Sequence, residues 1–517
     1  MLFNSAEFIF VFFPIALFVF FWLAGRFGNE VAILWLVIAS LFFYGWWDPS
    51  YLLIILTSML CNYFLGRHIY QQQSKLLLII GVLGNLAVLG YFKYANFFVI
   101  NVALLTGSNW SLEKIVLPLA ISIFTFQQIA YLVDSYRKIT EEYRFVHYAL
   151  FVTFFPQLIA GPIVHHKEML PQFQSANSFR ISSSHLAIGI GIFAIGLFKK
   201  TVLADGIAVY ANPVFNGADA GASPDFFLAW SAALAYTFQI YFDFSGYSDM
   251  ALGLARMFGI VLPLNFYSPY KACSISEFWR RWHMTLSRFL RDYIYIPLGG
   301  NKKGQRNRYL FLMTTMLLGG LWHGAGWNFV IWGALHGSFL AINHLWRQYS
   351  LQFAYLRLNK IASWMITMLV VIIAWVFFRA NTFEGAISIL QGMAGINGVS
   401  LPIAIMARLG DVGEVLQSWG VVGYHGGATQ LVKAWVGCLL LIPVVIFLPN
   451  VQDLFRNHQP SLTHIDEKND VAFWPGSKVI RKISWQPTLA WASYLSFLLV
   501  IGVMTLGQIS DFLYFQF

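Results

Sequence analysis

The chain has 517 residues, of which 58% are hydrophobic, 18% are aromatic and only 11% are charged. A soluble domain usually carries about 25% charged residues, and a disordered chain combines low hydrophobicity with high charge, so both classes are excluded. The composition predicts a polytopic membrane protein. The net charge of +10 fits a cationic cytoplasmic face, and we expect no nucleic-acid partner.

The first predicted span is an apolar run over 8–23, which has no basic residue before it and Arg26 after it. A secretory signal peptide shows the reverse order. We therefore expect an uncleaved membrane helix whose N-terminus lies outside. Arg67 and Arg137 then fall on the cytoplasmic side, provided that residues 97–105 do not cross the membrane.

Apolar segments long enough to cross a bilayer as helices recur along the whole chain. They are 7–24, 31–47, 50–66, 75–92, 115–133, 186–204, 226–245, 308–322, 327–345, 363–379, 433–449 and 488–506. Three other apolar segments are short or broken and are candidate re-entrant or tilted pieces: 97–105, 145–164 and 247–262. The chain is thus predicted to be one all-α polytopic domain over 1–517, with about 11–13 transmembrane or re-entrant helices. Two polar stretches are predicted to be loops or small surface elements: 391–432 and 450–487.

Residues 277–296 carry much of the chain's densest positive charge. On a helical wheel the arginines share one face and the aromatic residues share another, which predicts a cationic amphipathic helix along the cytoplasmic interface. These candidate donor-binding residues are Arg280, Arg281, Arg288 and Arg291. They could guide an anionic cytosolic donor such as coenzyme A, or simply snorkel to lipid headgroups. His283 lies at the border of the two faces, where the bundle interior could meet the interface. It could also be an interfacial histidine that is hydrogen-bonded for stability.

His323 is predicted to lie past the middle of the membrane, because it follows Arg308 by ~22 Å of helix. Glycines on both sides of it permit a helix break and close approach by another chain or a ligand. An ionisable residue at this depth is a functional candidate, and a buried, neutral imidazole suits a general base. The alternative is a packing histidine bonded to a carbonyl, which applies more strongly to His336 in the returning span.

A carboxylate, Asp243, stands near the end of another span. Tyr236, Gln239 and Asp243 follow helical spacing on one face, and the carboxylate should face the bundle and find a partner there. It could belong to a structural buried network or orient a histidine.

Several other patterns carry no catalytic prediction. GIGIFAIG at 189–196 is not a nucleotide-binding motif, and it predicts close helix packing inside a span. His165 and His166 are adjacent and do not share a helical face as metal ligands would. The three cysteines have no metal-type spacing, so no metal site is predicted.

Five strings carry a resemblance to a known family: FFPQLIAGPIV, YFDFSGYSDMALGLARMFG, SEFWRRWHMTLSRFLRDYIYIPLGGNKKG, LWHGAGWNFVIWGALHG and WVFFRA, which begin at 154, 241, 276, 321 and 375. With these motifs the chain resembles the membrane-bound O-acyltransferase (MBOAT) superfamily, and most of all its bacterial branch of alginate O-acetyltransferase membrane subunits. The resemblance covers an acyltransferase core over 115–380. It leaves 381–517 as C-terminal loops and two further transmembrane helices.

The resemblance implies that His323 is the family's catalytic histidine, inside a tunnel that crosses the membrane, and that His283 is its second signature histidine. It also implies supporting or tunnel-lining roles for Asp243, Trp322, Asn328 and His336. The expected enzyme binds no cofactor and takes an acetyl group from a cytosolic donor, expected to be acetyl-CoA. It passes the group across the inner membrane of a bacterium to a periplasmic SGNH-type partner. The expected acceptor is a polysaccharide, foremost alginate.

Other activities remain open from the sequence. Within the family, the acceptor could be peptidoglycan, cellulose or another exopolysaccharide, or the reaction could be D-alanylation of teichoic acid. A transporter or flippase could use the same histidine and aspartate as a proton relay, although inverted repeats, which would support it, are not evident. A scaffold that only recruits a periplasmic transferase is the remaining alternative.

Overall fold

The structure is a computed structural model that describes residues 1–113, 115–139, 144–159, 161–352, 358–463 and 483–507. The predicted all-α architecture is confirmed. In the described part, the strands are β1 (Ser400–Pro402) and β2 (Val422–Tyr424), which pair in parallel. They lie within the polar stretch 391–432, which was predicted to hold small surface elements.

Up to the long central helix, five long helices come first, three short ones follow, and two long ones come last. They are α1 (Phe8–Phe27), α2 (Asn29–Gly45), α3 (Tyr51–Gln72), α4 (Lys75–Thr106), α5 (Ile121–Tyr136), α6 (Phe145–Thr153), α7 (Phe155–Leu158), α8 (His166–Gln174), α9 (Ser183–Asp219) and α10 (Phe226–Met257). Residues 97–105 continue α4 and residues 247–257 continue α10, so neither is a separate re-entrant piece. Residues 145–158 form the short pieces α6 and α7, with Pro156 in the second, as the broken sequence of 145–164 predicts.

The helices of the second half carry the motif residues. They are α11 (Ile275–Arg281), α12 (Met284–Leu290), α13 (Gln305–His323), α14 (Trp327–Gln352), α15 (Lys360–Arg379), α16 (Phe383–Met393), α17 (Ile403–Leu409), α18 (Asp411–Ser418), α19 (Ala428–Phe447), α20 (Val451–Leu454) and α21 (Leu489–Met504). Each of the twelve predicted spans overlaps a helix, although 115–120 of the predicted span 115–133 lie before α5. By length and apolar composition, six described helices qualify to cross a membrane: α1, α3, α4, α9, α15 and α19. Others, such as α13 and α14, carry polar site residues that lower their hydropathy.

The centre of the bundle is α10, which packs against α9 through facing glycines. A methyl group at Gly253 would lie 2.6 Å from the carbonyl oxygen of Gly189, and one at Gly246 would lie 2.8 Å from that of Gly196. Small residues at such crossings let two helix backbones approach closely. The packing role predicted for 189–196 is therefore confirmed, and it brings the charged residues after Phe198 against α10.

Candidate functional site

His323 is the last residue of α13, and its side chain is buried among aromatic rings. The ring centroids of Trp322, Trp332 and Phe378 lie 4.9, 5.0 and 5.0 Å from that of His323. The helix is continuous from the cationic loop that precedes it, so the predicted separation of ~22 Å between Arg308 and His323 holds. This places the imidazole far from the cationic end of the helix.

The glycines around His323 give it close backbone neighbours. A methyl group at Gly320 would collide with the carbonyl oxygen of Phe329, and one at Gly333 would collide with that of Met316. Helices α13 and α14 therefore pack backbone against backbone beside the histidine. Gly324 is extended and ends α13, so the predicted helix break and close approach are confirmed.

Two tryptophans join the three candidate histidines into one cluster. The Trp322 ring lies 6.1 Å from that of His283 and 4.9 Å from that of His323. Trp332 in turn lies 5.0 Å from His323 and 4.7 Å from His336. All three histidines are buried, so residues forty positions apart in the sequence form one interior site.

His336 has a defined hydrogen-bond partner within this cluster. The indole Nε1 of Trp279 donates to His336 Nδ1 over 3.2 Å. This bond ties α14 to α11, and it fits the packing role that was the stronger alternative for His336. Asn328, also buried, donates from Nδ2 to the carbonyl oxygen of Ala380 over 2.8 Å and ties α14 to the WVFFRA segment.

The prediction of one amphipathic helix over 277–296 is wrong. Helix α11 ends at Arg281, Trp282 is extended, and His283 adopts the left-handed conformation with φ 40° and ψ 55° before α12 begins. Hydrogen bonds to another segment hold this break: Met284 N–H donates to the carbonyl of Asn265 over 2.9 Å, and Thr285 Oγ1 donates to Asn265 Oδ1 over 2.6 Å. These tertiary contacts outweigh the local helical pattern. The helical wheel had assumed one unbroken helix over 277–296.

The break turns His283 inward. Its ring is buried and packs edge-on against Phe244 of α10 at 4.8 Å. A left-handed conformation costs a non-glycine residue about 1 kcal/mol or more, so the surrounding structure must hold it in place. His283 therefore points into the bundle. The helical wheel had predicted a position at the border between interior and interface.

Asp243 lies in a network of buried ion pairs, and the sequence analysis did not identify its partners. Its Oδ1 lies 2.6 Å from the ammonium of Lys200, which also contacts Asp205 at 2.8 Å, and all three side chains are buried. Lys199 pairs with Asp249 beside them, at 2.6 Å. The structural network, one of the two alternatives for Asp243, is thus present. Two lysines lie inside the apolar segment 186–204. Because buried lysines need anionic partners, they could have indicated this ion network from the sequence.

The four candidate arginines differ in their partners. Arg281 pairs with Glu277 at 2.8 Å, and Arg291 pairs with Asp292 at 2.7 Å. The Arg288 guanidinium donates hydrogen bonds to both carboxylate oxygens of Glu168, over 2.5 and 2.9 Å. Arg280 is exposed, and within the described ranges it has no carboxylate partner. Glu168, far away in sequence, was missed because no local pattern connects it with Arg288.

One cavity, the inner cavity, opens beside these arginines. It has a volume of about 350 Å³ and is lined by Arg280, Arg288, Arg291, Trp279, Met284, Thr285, Ser287, Pro263, Leu264 and Thr463. His283 lies between the lining residues Trp279 and Met284 in the chain. The backbone N–H of His165 donates to Glu168, the partner of Arg288, and burial lowers the pKa of the His165 ring to about 4. His165 is therefore neutral at pH 7, and the positive charge beside it comes from arginine.

A second cavity, the outer cavity, reaches His323 from another direction. It has a volume of about 70 Å³ and is lined by Lys93, Ile159, Trp322, His323 and residues 117–123. Residues 117–123 include the start of α5, whose far end is followed by Arg137 and Lys138. The Arg137 guanidinium lies 5.9 Å from the centroid of the Tyr293 ring, two residues after Arg291, so that far end of α5 lies on the side of the arginines. The outer cavity therefore opens on the side away from the arginines.

A model of the membrane-bound O-acyltransferase family matches residues 41–384, a region that contains every candidate site residue. The chain belongs to the MBOAT family. It is accordingly a multi-pass membrane enzyme that transfers an acyl group to a hydroxyl. Family membership decides against the transporter, flippase and scaffold alternatives.

Curated relatives in the MBOAT family carry several names. A peptidoglycan O-acetyltransferase of Helicobacter pylori is 46% identical over 78% of this chain and 81% of its own length. A probable alginate O-acetylase of Pseudomonas putida is 37% identical over the whole of both chains. A teichoic acid D-alanyltransferase of Streptococcus thermophilus is 29% identical over 44% of this chain and 57% of its own.

Proposed function

We propose that this MBOAT protein transfers an acetyl group from cytosolic acetyl-CoA, through the bundle, to an acceptor hydroxyl on the other side of a bacterial inner membrane. One observation supports the proposal most: the two cavities approach the linked residues His283, Trp322 and His323 from opposite faces. The inner cavity has three arginines for an anionic donor, and the outer cavity has His323 in its wall.

The proposed reaction uses His323 as the general base. The acceptor hydroxyl attacks the thioester carbonyl, a C–O bond forms, and the C–S bond to coenzyme A breaks. His323 takes the proton from the hydroxyl and returns it to the thiolate that leaves. His283, at the inner side of Trp322, orients the thioester. The acceptor hydroxyl is proposed to belong to a periplasmic SGNH-type partner, which passes the acetyl group on to the polysaccharide.

The proposed polysaccharide is alginate, because the relatives named probable alginate O-acetylases align with this chain from end to end. Peptidoglycan is a second candidate, because the Helicobacter pylori relative has the higher identity, 46%. A deletion strain separates the two. We expect ester-bound acetate to vanish from alginate, to remain on peptidoglycan and to return when the gene is restored. Loss from peptidoglycan alone would support the second candidate instead.

Donor binding gives a prediction at the inner cavity. Because Arg280 is exposed and lines this cavity, its charge is available for a coenzyme A phosphate. We expect Arg280→Gln to raise the KM for acetyl-CoA ~10-fold, the loss expected for one charge-assisted hydrogen bond, while kcat changes less than ~2-fold. The measurement is the initial rate of acetyl transfer by the purified full chain against acetyl-CoA concentration.

The matched control is Arg306→Gln. Arg306 is exposed in the same cationic region but does not line the inner cavity, so its loss should leave the KM unchanged. An unchanged KM in Arg280→Gln, or an equal rise in both variants, would remove Arg280 from the donor site.

The proposed orientation places the N-terminus in the periplasm. The apolar run of α1 precedes Arg26, and Arg67 and Arg137 then fall on the same face as Arg26. A cysteine-free chain with one cysteine introduced at Asn4 should be labelled by an impermeant thiol reagent added to intact spheroplasts. Labelling only after the membrane is opened would reverse the orientation.

A further inference from the structure

The C-terminal end of α13 is held by two side chains from α4. The last four carbonyl groups of an α-helix have no partner within the helix. Here the Tyr94 hydroxyl donates to the carbonyl of Leu321 over 2.6 Å. The Lys93 ammonium donates to the carbonyl of Trp322 and, over 3.2 Å, to that of His323 itself. Lys93 and Tyr94 together therefore satisfy three consecutive carbonyls, ending at the proposed catalytic residue.

The placement of Lys93 has a physical reason. The carbonyl end of a helix carries partial negative charge, so an ammonium there is stabilising. Lys93 lies in a π-helical turn, Gly90–Tyr94, which interrupts α4; such turns widen the helix and occur frequently at functional sites. This turn is where α4 reaches the end of α13.

Lys93 also faces the reaction space. Its side chain lines the outer cavity together with Trp322 and His323, and its ammonium lies 5.9 Å from the centroid of the Trp322 ring. Its remaining polar neighbour is Ser122 Oγ at 3.4 Å. Among the residues described, no carboxylate forms an ion pair with Lys93. The two helix carbonyls are therefore the principal acceptors for this positive charge.

We propose that Lys93 is a positioning residue for His323, which it holds at the wall of the outer cavity by fixing the last turn of α13. Tyr94 supports it through the carbonyl of Leu321 in the same turn. The inference rests on the proposed function, because it assumes that the position of His323 matters for acyl transfer. A displacement of about 1 Å at a reacting group can cost ~100-fold in rate, so a helix end held from outside is a sensitive point.

The kinetic test compares Lys93→Met, which keeps much of the length but loses the ammonium, with Lys93→Arg, which keeps the charge. We expect Lys93→Met to lower kcat at least ~10-fold, with the KM for acetyl-CoA within ~2-fold, because the donor enters from the other cavity. Lys93→Arg should recover most of this loss. Lys75→Met, at the exposed start of the same helix, is the matched control and should behave as wild type.

A second readout does not depend on activity. In a chain whose cysteines at 61, 273 and 438 are replaced, His323→Cys provides one thiol at the cavity wall. If Lys93 fixes this position, adding Lys93→Met should change the rate of labelling by a small uncharged thiol reagent at least ~3-fold, whereas Lys75→Met should not. An uncharged reagent avoids a direct effect of the lost charge on the reagent itself.

The outcomes separate the inference from the function on which it rests. Unchanged kcat and unchanged labelling in folded Lys93→Met would overturn the positioning role, even if His323→Ala is inactive. A raised KM with unchanged kcat would also overturn it, because that result describes substrate binding. An active His323→Ala would overturn the proposed function, and the labelling rate would still decide whether Lys93 positions residue 323.

Discussion

Replacement of His323 by alanine is expected to lower acetyl transfer about 1,000-fold, within the range that a positioned general base contributes. The imidazole is buried at the end of α13 and lines the outer cavity, and alanine leaves no group there to accept the proton. In cells, glycan-bound acetate should fall to the level of a deletion strain. The measurement is ester-bound acetate released by mild base, with the amount of inserted protein determined in the same membranes.

The matched control is His344→Ala. His344 is another histidine of the same helix pair, but it lies near the cationic end of α13, where its ring nitrogen is 3.4 Å from Arg308. This variant should acetylate as wild type. A normally inserted His323→Ala chain with more than a tenth of wild-type activity would show that His323 is not the general base.

Replacement of Lys200 by methionine should strongly destabilise the bundle. Lys200 contacts both Asp205 and Asp243, and its replacement takes one ammonium away from two buried carboxylates. Breaking a buried ion pair typically costs about 3–5 kcal/mol. We expect a large fall in the thermal unfolding midpoint. The measurement is the tryptophan fluorescence of the purified protein in detergent as the temperature rises.

A double variant tests the cause of this loss. Asp243→Asn removes one of the two carboxylate charges that Lys200 contacts, so Lys200→Met with Asp243→Asn should be more stable than Lys200→Met alone. Lys433→Met, at an exposed position of α19, is the control and should leave the midpoint unchanged. Additive losses in the double variant would show that the two residues do not stabilise each other.

Helical architecture was readable from the sequence because it depends on local patterns. A run of ~20 apolar residues predicts a spanning helix, and each of the twelve predicted spans overlaps a helix, with 115–120 as a non-helical start of one of them. The distance of His323 from the cationic loop followed from helix rise alone. The glycines beside it predicted the break and the close packing, because only glycine permits such an approach.

Features that depend on distant partners were not readable. The break at His283 is fixed by Asn265, and the charge of Arg288 is taken up by Glu168. Lys93 reaches α13 across more than two hundred residues of sequence. No local periodicity encodes such contacts, and a helical wheel assumes that the helix continues. The sequence therefore located the candidate histidines, whereas the structure placed them in one cluster.

In the proposed function, acetyl groups pass through the bundle by way of His323. The most direct measurement uses proteoliposomes with the cytoplasmic face outward, acetyl-CoA with separately labelled acetyl and adenine groups outside, and the partner transferase and polysaccharide enclosed. We expect acetyl label to reach the enclosed polysaccharide while adenine label stays outside, and we expect His323→Ala to abolish this transfer. Equal transfer by His323→Ala, or entry of both labels together, would contradict it.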